Sequence, residues 1–240
     1  MPTTPRLLSL LLILPLLPFS SGCSPDAKTA DQHEDTPSLT VDQDAQAGLL
    51  TTFHATTQQL AAARPALSPD QEAARQLVLY HRGALALTAA EAHRGRDSTL
   101  LRWAAAFAQD QQQQLPEAEA LAVRLKPGAA DSAFGQRLRS TVAQLVKVEE
   151  ATRVEAAGRQ RQAPNLGMMQ SHQDDGTGDT DADFATLLLL QQRAALETAR
   201  AAEELGSAPE LKAAAAGMQR RAQPFIRQLQ FWQQRHRPRS

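Results

Sequence analysis

Two stretches of the chain, residues 70–121 and 181–232, follow the same pattern, shifted by 111 positions without a gap. Identical residues occur at Leu77, Leu79, Arg82, Ala84, Leu85, Ala90, Gly95, Leu100, Ala104 and Ala105 and, in the second stretch, at Leu188, Leu190, Arg193, Ala195, Leu196, Ala201, Gly206, Leu211, Ala215 and Ala216. A repeated unit hides its apolar face against a neighbouring copy. The repeat therefore predicts two similar helical hairpins, at about 70–125 and 181–236, that face each other.

Composition and periodicity predict an all-α protein. Aromatic residues make up only 4% of the 240 residues, and strands draw on aromatic and β-branched side chains. Apolar residues at helical spacing predict additional helices near 41–63 and 131–157, the second fading near Gly158. The polar, glycine-rich segment 163–180 predicts an internal loop. We expect the two hairpins to form a four-helix bundle with the additional helices packed alongside.

Several residues predict where these helices begin and end. Ser68, Thr180 and Ser207 are suited to cap helix starts through their side chains. Gly95 and Gly206 are suited to end the first helix of each hairpin, and the short turns there make the paired helices antiparallel neighbours. Pro116 and Pro224 lie inside helical patterns and predict kinks at matching places.

The first residues of the chain have the features of an export signal. Arg6 and the amino terminus provide positive charge, and an apolar run follows over residues 7–19. About 13 apolar residues suit a signal peptide and are too few to span a bilayer. The predicted organisation is a signal peptide over 1–22, a polar disordered tether over 23–40 and a helical domain over 41–240.

Cys23 is the only cysteine in the chain and directly follows small residues. This arrangement resembles the lipobox of bacterial lipoproteins, in which the cysteine is lipidated and becomes the new amino terminus. Ser20 departs from the pattern, which usually has leucine there. The alternative is an ordinary signal peptide cut nearby, with Cys23 left as a spare thiol. Ser24 is not the aspartate that marks inner-membrane retention, so we expect an anchor in the outer membrane, facing the periplasm of the bacterial cell envelope.

The sequence lacks the usual motifs of catalysis. There is no Gly-x-Ser-x-Gly, no phosphate-cradling glycine loop, no His-Glu-x-x-His and no Cys-x-x-Cys. No glutamate stands three residues before any histidine, which argues against a di-iron bundle site. A net charge of −1 does not demand a polyanionic partner, and an exported protein is not expected to bind nucleic acid. We therefore predict no enzyme, although an enzyme without a recognisable motif stays a weaker alternative.

The two hairpins resemble the family catalogued as domain of unknown function 305, a ferritin-like helical family of secreted and often metal-associated bacterial proteins. In that family, acidic residues and phenylalanine open a helix, a His-His pair follows, and the partner helix carries Gln-x-x-Glu-Ile-x-x-Met. Asp183-Phe184 resembles the opening of the second unit. In the first unit, Tyr80-His81 stands where the histidine pair would be, with Gln111 and Gln114 at the Gln and Glu positions. The resemblance covers roughly residues 70–232 and implies a ferritin-like bundle.

The departures from the family pattern predict a degenerate member. The histidine pair is reduced to His81 in the first unit and is replaced by Gln191 and Gln192 in the second. Amide oxygens are poor ligands for the metals that imidazole and thioether select. The family metal site is therefore predicted to be largely lost and no cofactor is expected. Tyr80 and His81 are then ordinary bundle residues with a hydrogen-bond partner.

Copper binding is the main alternative. Met168, Met169 and His172 carry the thioether and imidazole groups that hold soft copper ions, and His81 could join them. The competing interpretation is a linker with incidental methionines, since holding an ion would first require ordering the chain. The nearby aspartates fail the EF-hand register and are better explained as helix caps.

The final helix and tail are basic, with Arg220, Arg221, Arg227, Arg235, Arg237 and Arg239. This surface could rest on anionic phospholipid or on a polyanionic envelope polymer, or it could be solvated charge that balances an acidic amino-terminal half. Taken together, the sequence favours a lipid-anchored envelope protein with a non-enzymatic binding or scaffolding role and an unknown protein or polymer partner.

Overall fold

Helices make up almost all of the described part of the chain. The computed structural model describes residues 48–63, 68–126, 132–162 and 179–236. Within these ranges there are six helices and no strand, which confirms the predicted all-α class. The helices are α1 (Leu49–Ala62), α2 (Pro69–Arg94), α3 (Ser98–Arg124), α4 (Ser132–Gln162), α5 (Thr180–Leu205) and α6 (Pro209–Arg235).

Helices α2 and α5 form the centre of the fold. More than half of the residues in each are buried, whereas α3 and α6 bury narrower stripes. A helix that is buried on most sides must be covered on most sides. In agreement, α2 packs against α3, α5, α1 and α4, and α5 packs against α6, α2, α4 and α1. The described helices thus lie in three layers, with α3 and α6 on one side of the central pair and α1 and α4 on the other.

Two aspartates tie the central helices to the turns. Asp70, at the start of α2, accepts hydrogen bonds from the backbone N–H groups of Ser207 (3.0 Å) and Ala208 (3.0 Å) in the α5–α6 turn. Asp181, at the start of α5, accepts from Arg96 (2.9 Å) and from Asp97 in the α2–α3 turn. Each end of the fold is therefore closed by a carboxylate from the other hairpin, which satisfies donors that a helix start leaves free.

Three of the five predicted helix ends agree with the structure. Ser68 is the N-cap of α2, and its hydroxyl accepts from the backbone of Gln71 at 3.3 Å. Gly95 and Gly206 are C-caps with φ of −63° and −62°, so neither needs the left-handed region. Both still require glycine, because a Cβ would lie 2.8 Å from the Glu91 carbonyl oxygen at Gly95 and closer still to its counterpart at Gly206.

Two predicted caps are wrong. Thr180 is the first residue of α5, and its N-cap is Asp179, whose carboxylate accepts from the backbone of Ala182. Ser207 does not cap α6, which starts after Ala208 without a side-chain cap bond of its own. The carboxylate of Asp70 takes that role from a distant part of the chain, which no local pattern could indicate.

The predicted helix boundaries also need correction. Helix α4 continues past Gly158 to Gln162, because a single glycine lowers helix stability by only about 1 kcal/mol and does not by itself end a helix. Helix α1 starts at Leu49, while residues 41–47 of the predicted helix lie outside the described residues. Most of the predicted loop, 163–178, also lies outside them. Pro116 lies inside α3 and Pro224 lies inside α6, and both helices continue beyond these prolines.

None of the described helices combines the length and the apolar character that crossing a membrane would require.

Candidate functional site

His81 lies on α2 and is almost completely buried, with 4% of its surface exposed. Its Nδ1 lies 2.6 Å from Oε1 of Gln111 on α3. An amide oxygen only accepts hydrogen bonds, so the contact assigns the ring hydrogen to Nδ1 and the lone pair to Nε2. The amide nitrogen of Gln111 faces a carboxylate oxygen of Asp110 at 3.5 Å, which is consistent with this orientation of the amide.

The surroundings of His81 favour the neutral imidazole. Burial is the largest effect and lowers the pKa of His81 below the usual 6.5. The hydrogen bond that His81 donates to Gln111 raises the pKa, and the nearby charges of Arg221 and Asp110 act against each other. Since burial dominates, the side chain is a neutral acceptor at Nε2 around neutral pH.

A small cleft of about 30 Å³ lies beside His81, between α2, α3 and α6. A space of this size holds about one or two water molecules or a single ion. Its polar or soft lining residues are His81, Gln114, Glu117, Met218 and Arg221. The ring of His81 makes its hydrogen bond to a described residue through Nδ1, and it lines the cleft together with the side chains of Met218 and Glu117.

The rim of the cleft is held by polar contacts across α3 and α6. The Gln114 amide donates to the Asp110 side chain and, at 3.3 Å, to the Asp110 carbonyl oxygen. The Asp110 carboxylate lies 4.0 Å from Nε of Arg221. These contacts fix the position of Asp110, and through it the position of the Gln111 and Gln114 amides that surround the imidazole.

The matching position in the second hairpin is a buried amide without a partner. Gln192 stands 111 residues after His81 and is 1% exposed. Neither its oxygen nor its nitrogen has a hydrogen-bond partner among the described residues. The residue 111 after Gln111 is Ala222, and the residue 111 after Gln114 is Phe225, whose ring stacks on Phe107 at 4.1 Å. The second unit therefore has an apolar layer where the first has a polar cleft.

Tyr80 and Gln191 meet at the seam between the central helices. Both are completely buried, and Nε2 of Gln191 donates to the backbone oxygen of Tyr80 at 3.2 Å. The Gln191 amide oxygen has no hydrogen-bond partner in the described part of the chain, whereas the Tyr80 hydroxyl lies beside the Thr198 hydroxyl. Burial raises the pKa of Tyr80 to about 12, so the phenol stays protonated. This pair is structural in character, since it is sealed from the cleft by the packing of α2 on α5.

The structure brings together only some of the residues singled out from the sequence. Those found in the core are Tyr80, His81, Gln111, Gln114, Gln191 and Gln192. Cys23, Met168, Met169 and His172 lie outside the described residues. Sequence reasoning missed Met218, Glu117 and Arg221, because no spacing pattern indicates which residues of α3 and α6 face His81.

The cleft is lined by side chains with nitrogen, oxygen and sulfur donor atoms. Within residues 48–63, 68–126, 132–162 and 179–236, no three histidine, cysteine, aspartate or glutamate side chains converge closely enough to hold a metal ion. His81, Glu117 and Met218 therefore offer at most a mixed nitrogen, oxygen and sulfur environment on one side of a small space.

Comparisons with known proteins gave no relative. No family model, no curated protein and no solved structure matches this chain.

Proposed function

We propose that this chain is an exported protein of the bacterial cell envelope that is anchored by lipid on Cys23 and acts by binding or scaffolding, without catalysis. In this proposal the helical domain is a ferritin-like four-helix bundle, α2, α3, α5 and α6, built from duplicated hairpins. It belongs to a degenerate branch of the family known as domain of unknown function 305. The anchor is in the outer membrane and the domain faces the periplasm.

The Asp70 and Asp181 contacts support a duplicated architecture. The two aspartates are 111 residues apart, and so are their main-chain partners Arg96 and Ser207. Two unrelated hairpins would have no reason to exchange caps at the same offset that relates their sequences. The offset of 111 residues between these two sets of hydrogen bonds equals the offset between the two similar stretches of sequence.

The observation that carries the proposed loss of metal chemistry is the state of the histidine-pair positions. The one remaining imidazole, His81, is held at Nδ1 by an amide, and Gln191 and Gln192 are sealed in the core. Amides at the ligand positions favour a binding or structural role over a retained ion.

The anchor is tested by expressing the full chain in a bacterium with two membranes and measuring the mass of Cys23-containing peptides. We expect acyl chains on Cys23 and recovery of the protein with the outer membrane. The Cys23→Ser variant should lose the acyl mass and leave the outer-membrane fraction. An unmodified Cys23 thiol in the mature protein would contradict the proposal.

Copper binding is the second candidate, and one observation favours it. Metal-binding histidines usually donate their second ring N–H to a fixed acceptor, which orients the coordinating nitrogen. His81 has this arrangement through Gln111, and Met218 lines the same cleft. The thioether and imidazole together suit a soft ion such as Cu(I).

The two candidates are separated by adding Cu(I), Cu(II) and Zn(II) to the full chain in detergent and measuring stoichiometry and melting temperature. A ligand that binds only the folded state must raise the melting temperature. If the family metal site is lost, as we propose, the protein should retain no metal and its melting temperature should not change. Stoichiometric copper that is lost in both His81→Ala and Met218→Leu would establish the second candidate, whereas loss only in Met168→Ala with Met169→Ala would place copper in the 163–180 segment.

A further inference from the structure

The outer face of α6 is basic and carries an exposed aromatic ring near its carboxyl end. Arg220, Arg227 and Arg235 are exposed there, and Phe231 is 54% exposed. Intervals of seven, four and four residues place these side chains on one side of the helix. The only acidic residue of α6 is Glu210, in the first turn at the opposite end of the helix.

These arginines are not neutralised within the described structure. No carboxylate of the described residues lies within 4.0 Å of the guanidinium of Arg220, Arg227 or Arg235. By contrast, Arg82 pairs with Glu119 at 2.8 Å. The guanidinium carbon of Arg235 lies 5.6 Å from the Phe231 ring centroid, so a free charge and an apolar ring share one surface.

The α2–α3 turn lies at the same end of the fold and adds further exposed basic residues. His236, just after α6, lies 3.8 Å from Asp97 of this turn, and His93 and Arg96 are exposed nearby in the chain. Two of the acids at this end, Asp97 and Asp181, act as caps. Asp97 accepts from the start of α3, and Asp181 accepts from the turn. Their charges are therefore partly offset by helix amino termini.

The chain enters the domain at this same end. Helix α1 touches α2 where Thr56 meets Gly83. If α1 ran parallel to α2, Ala62 would lie roughly 30 Å along the axis from Pro69. The seven residue steps between them span at most about 25 Å. Helix α1 is therefore antiparallel to α2, and Gly48 points toward the α2–α3 turn.

We infer that the basic end, defined as Arg96, Arg227, Phe231 and Arg235, rests on the anionic phospholipid headgroups of the membrane that holds the anchor. This rests on the proposed function, since the lipid on Cys23 keeps the domain near a bilayer. As a random coil, 25 residue steps from Cys23 to Gly48 would span roughly 25–30 Å, less than the length of α2. The end nearest the anchor is thus the end that reaches the surface.

The chemistry of the basic end suits a lipid surface. Guanidinium groups form paired hydrogen bonds with phosphate oxygens, and juxtamembrane arginines are attracted by anionic lipid. An aromatic ring with basic neighbours sits favourably at the boundary between headgroups and acyl chains. The opposite end presents exposed Glu203 and Glu210 together with exposed Arg124 and Lys126, so its acidic and basic charges offset each other.

The test places a fluorescent label at each end of the full, lipidated chain in vesicles. Gln228→Cys labels the basic end, and Val123→Cys, at an 85% exposed site near the end of α3, labels the opposite end. Vesicles of phosphatidylethanolamine and phosphatidylglycerol at 3:1 carry a headgroup quencher and are compared with phosphatidylcholine vesicles. We expect quenching at 228 only, and only with phosphatidylglycerol.

Charge variants define the contribution of the arginines. Arg227→Gln with Arg235→Gln should lower the ratio of docked to undocked protein by about fivefold for each charge removed. Arg124→Gln with Lys126→Gln removes the same charge at the opposite end and should leave the ratio unchanged. All four substituted residues are exposed, so neither double variant should affect folding. The circular dichroism of both should therefore match that of the wild type.

Equal quenching at 228 and 123, or equal quenching in both lipid mixtures, would overturn the inference. A response at 228 to soluble polyphosphate but not to phosphatidylglycerol vesicles would also overturn it, by assigning the surface to an envelope polymer. Labelling of Cys23 by the thiol reagent would reveal failure of the proposed anchor instead. In that case, flotation of the unanchored chain with phosphatidylglycerol vesicles still compares the two charge variants.

Discussion

Asp70 and Asp181 cap each other's hairpins: the first accepts from the backbone of Ser207 and the second from the backbone of Arg96. Each contact joins elements more than eighty residues apart in the chain, so each aspartate stabilises the tertiary arrangement as well as a helix start. Loss of either should loosen one end of the fold while the other end stays closed.

Asp70→Ala and Asp181→Ala should each lower the free energy of unfolding by about 1.5–3 kcal/mol, because hydrogen bonds to a charged acceptor are lost and backbone donors are left unpaired. Urea denaturation measures the effect. The matched control is Glu119→Ala, which removes an exposed ion pair with Arg82 and should cost less than about 1 kcal/mol. Similar losses in all three variants would contradict the assigned role.

Gly83 marks the closest approach of three helices. A Cβ there would lie 2.4 Å from Nε2 of Gln191 and 2.4 Å from Cγ2 of Thr56. Gly83→Ala should therefore destabilise by about 1–3 kcal/mol through overpacking, despite the better helix propensity of alanine. Gly158→Ala is the control, because a Cβ there meets nothing within 4 Å. It should stabilise by about 0.5–1 kcal/mol, and the opposite signs of the two changes would be visible in melting temperatures.

The sequence predicts the helices better than their arrangement. Leucine and alanine at helical spacing, with Ser68 and Gly95 at the ends, are local signals and gave correct elements. The cap of α6 could not be predicted, because its acceptor is Asp70, 137 residues before Ser207. The sequence does not indicate that α2 and α5 are the central helices. Both are buried on most sides, yet both contain buried glutamine and threonine side chains, which are more typical of a solvent-facing helix surface.

At the candidate site, too, the sequence indicates some residues, whereas others are identified only by the packing of the helices. Gln111 stands at the Gln position of the family pattern, and the structure places its side-chain oxygen 2.6 Å from Nδ1 of His81. Met218 and Arg221 carry no pattern that relates them to His81. They line the same cleft because α6 returns alongside α3, which is a consequence of hairpin packing and not of spacing along one helix.

Glu91 should make stability depend on pH in the alkaline direction. It is completely buried. Burial is the largest effect and, together with a hydrogen bond to Asp181 and the charge of that carboxylate, raises the pKa of Glu91 from 4.5 to about 9. The folded state then holds a proton that the unfolded state has lost, so stability falls as pH rises between these values, by up to about 1.4 kcal/mol per pH unit.

Glu91→Gln removes this titration, and its advantage over the wild type should grow from pH 5 to pH 8.5. Urea denaturation of both proteins across that range measures the difference, in which the other titrating groups cancel. A flat difference across this range would mean that the Glu91 carboxyl is ionised in the folded protein.

His81 should show the opposite pH dependence. Burial holds the pKa of His81 below 6.5 in the folded state, so the unfolded state takes up a proton first as the pH falls. The contribution of His81 to stability is therefore lost as the pH falls below 6.5 toward the pKa of the folded state. Nitrogen NMR should show hydrogen on Nδ1 and a bare Nε2 at pH 7.5, where an imidazole with a pKa below 6.5 is neutral. Gln111→Glu places a carboxylate at the 2.6 Å contact and should raise the His81 pKa, and an unchanged titration would exclude this contact.

Gln192→Leu and Gln111→Leu apply the same change to two buried amides with different partners. Gln192 has no hydrogen-bond partner among the described residues, and Ala222 stands where a counterpart to Gln111 would be. Replacing an unsatisfied amide by a side chain of similar shape removes a desolvation cost, so Gln192→Leu should stabilise by about 1–3 kcal/mol. Gln111→Leu should destabilise by a similar amount, because it leaves the Nδ1–H of His81 buried without an acceptor. Urea unfolding of both variants decides the point: destabilisation by Gln192→Leu would show that its amide has a bound partner, such as an ordered water molecule, that makes the second hairpin more similar to the first.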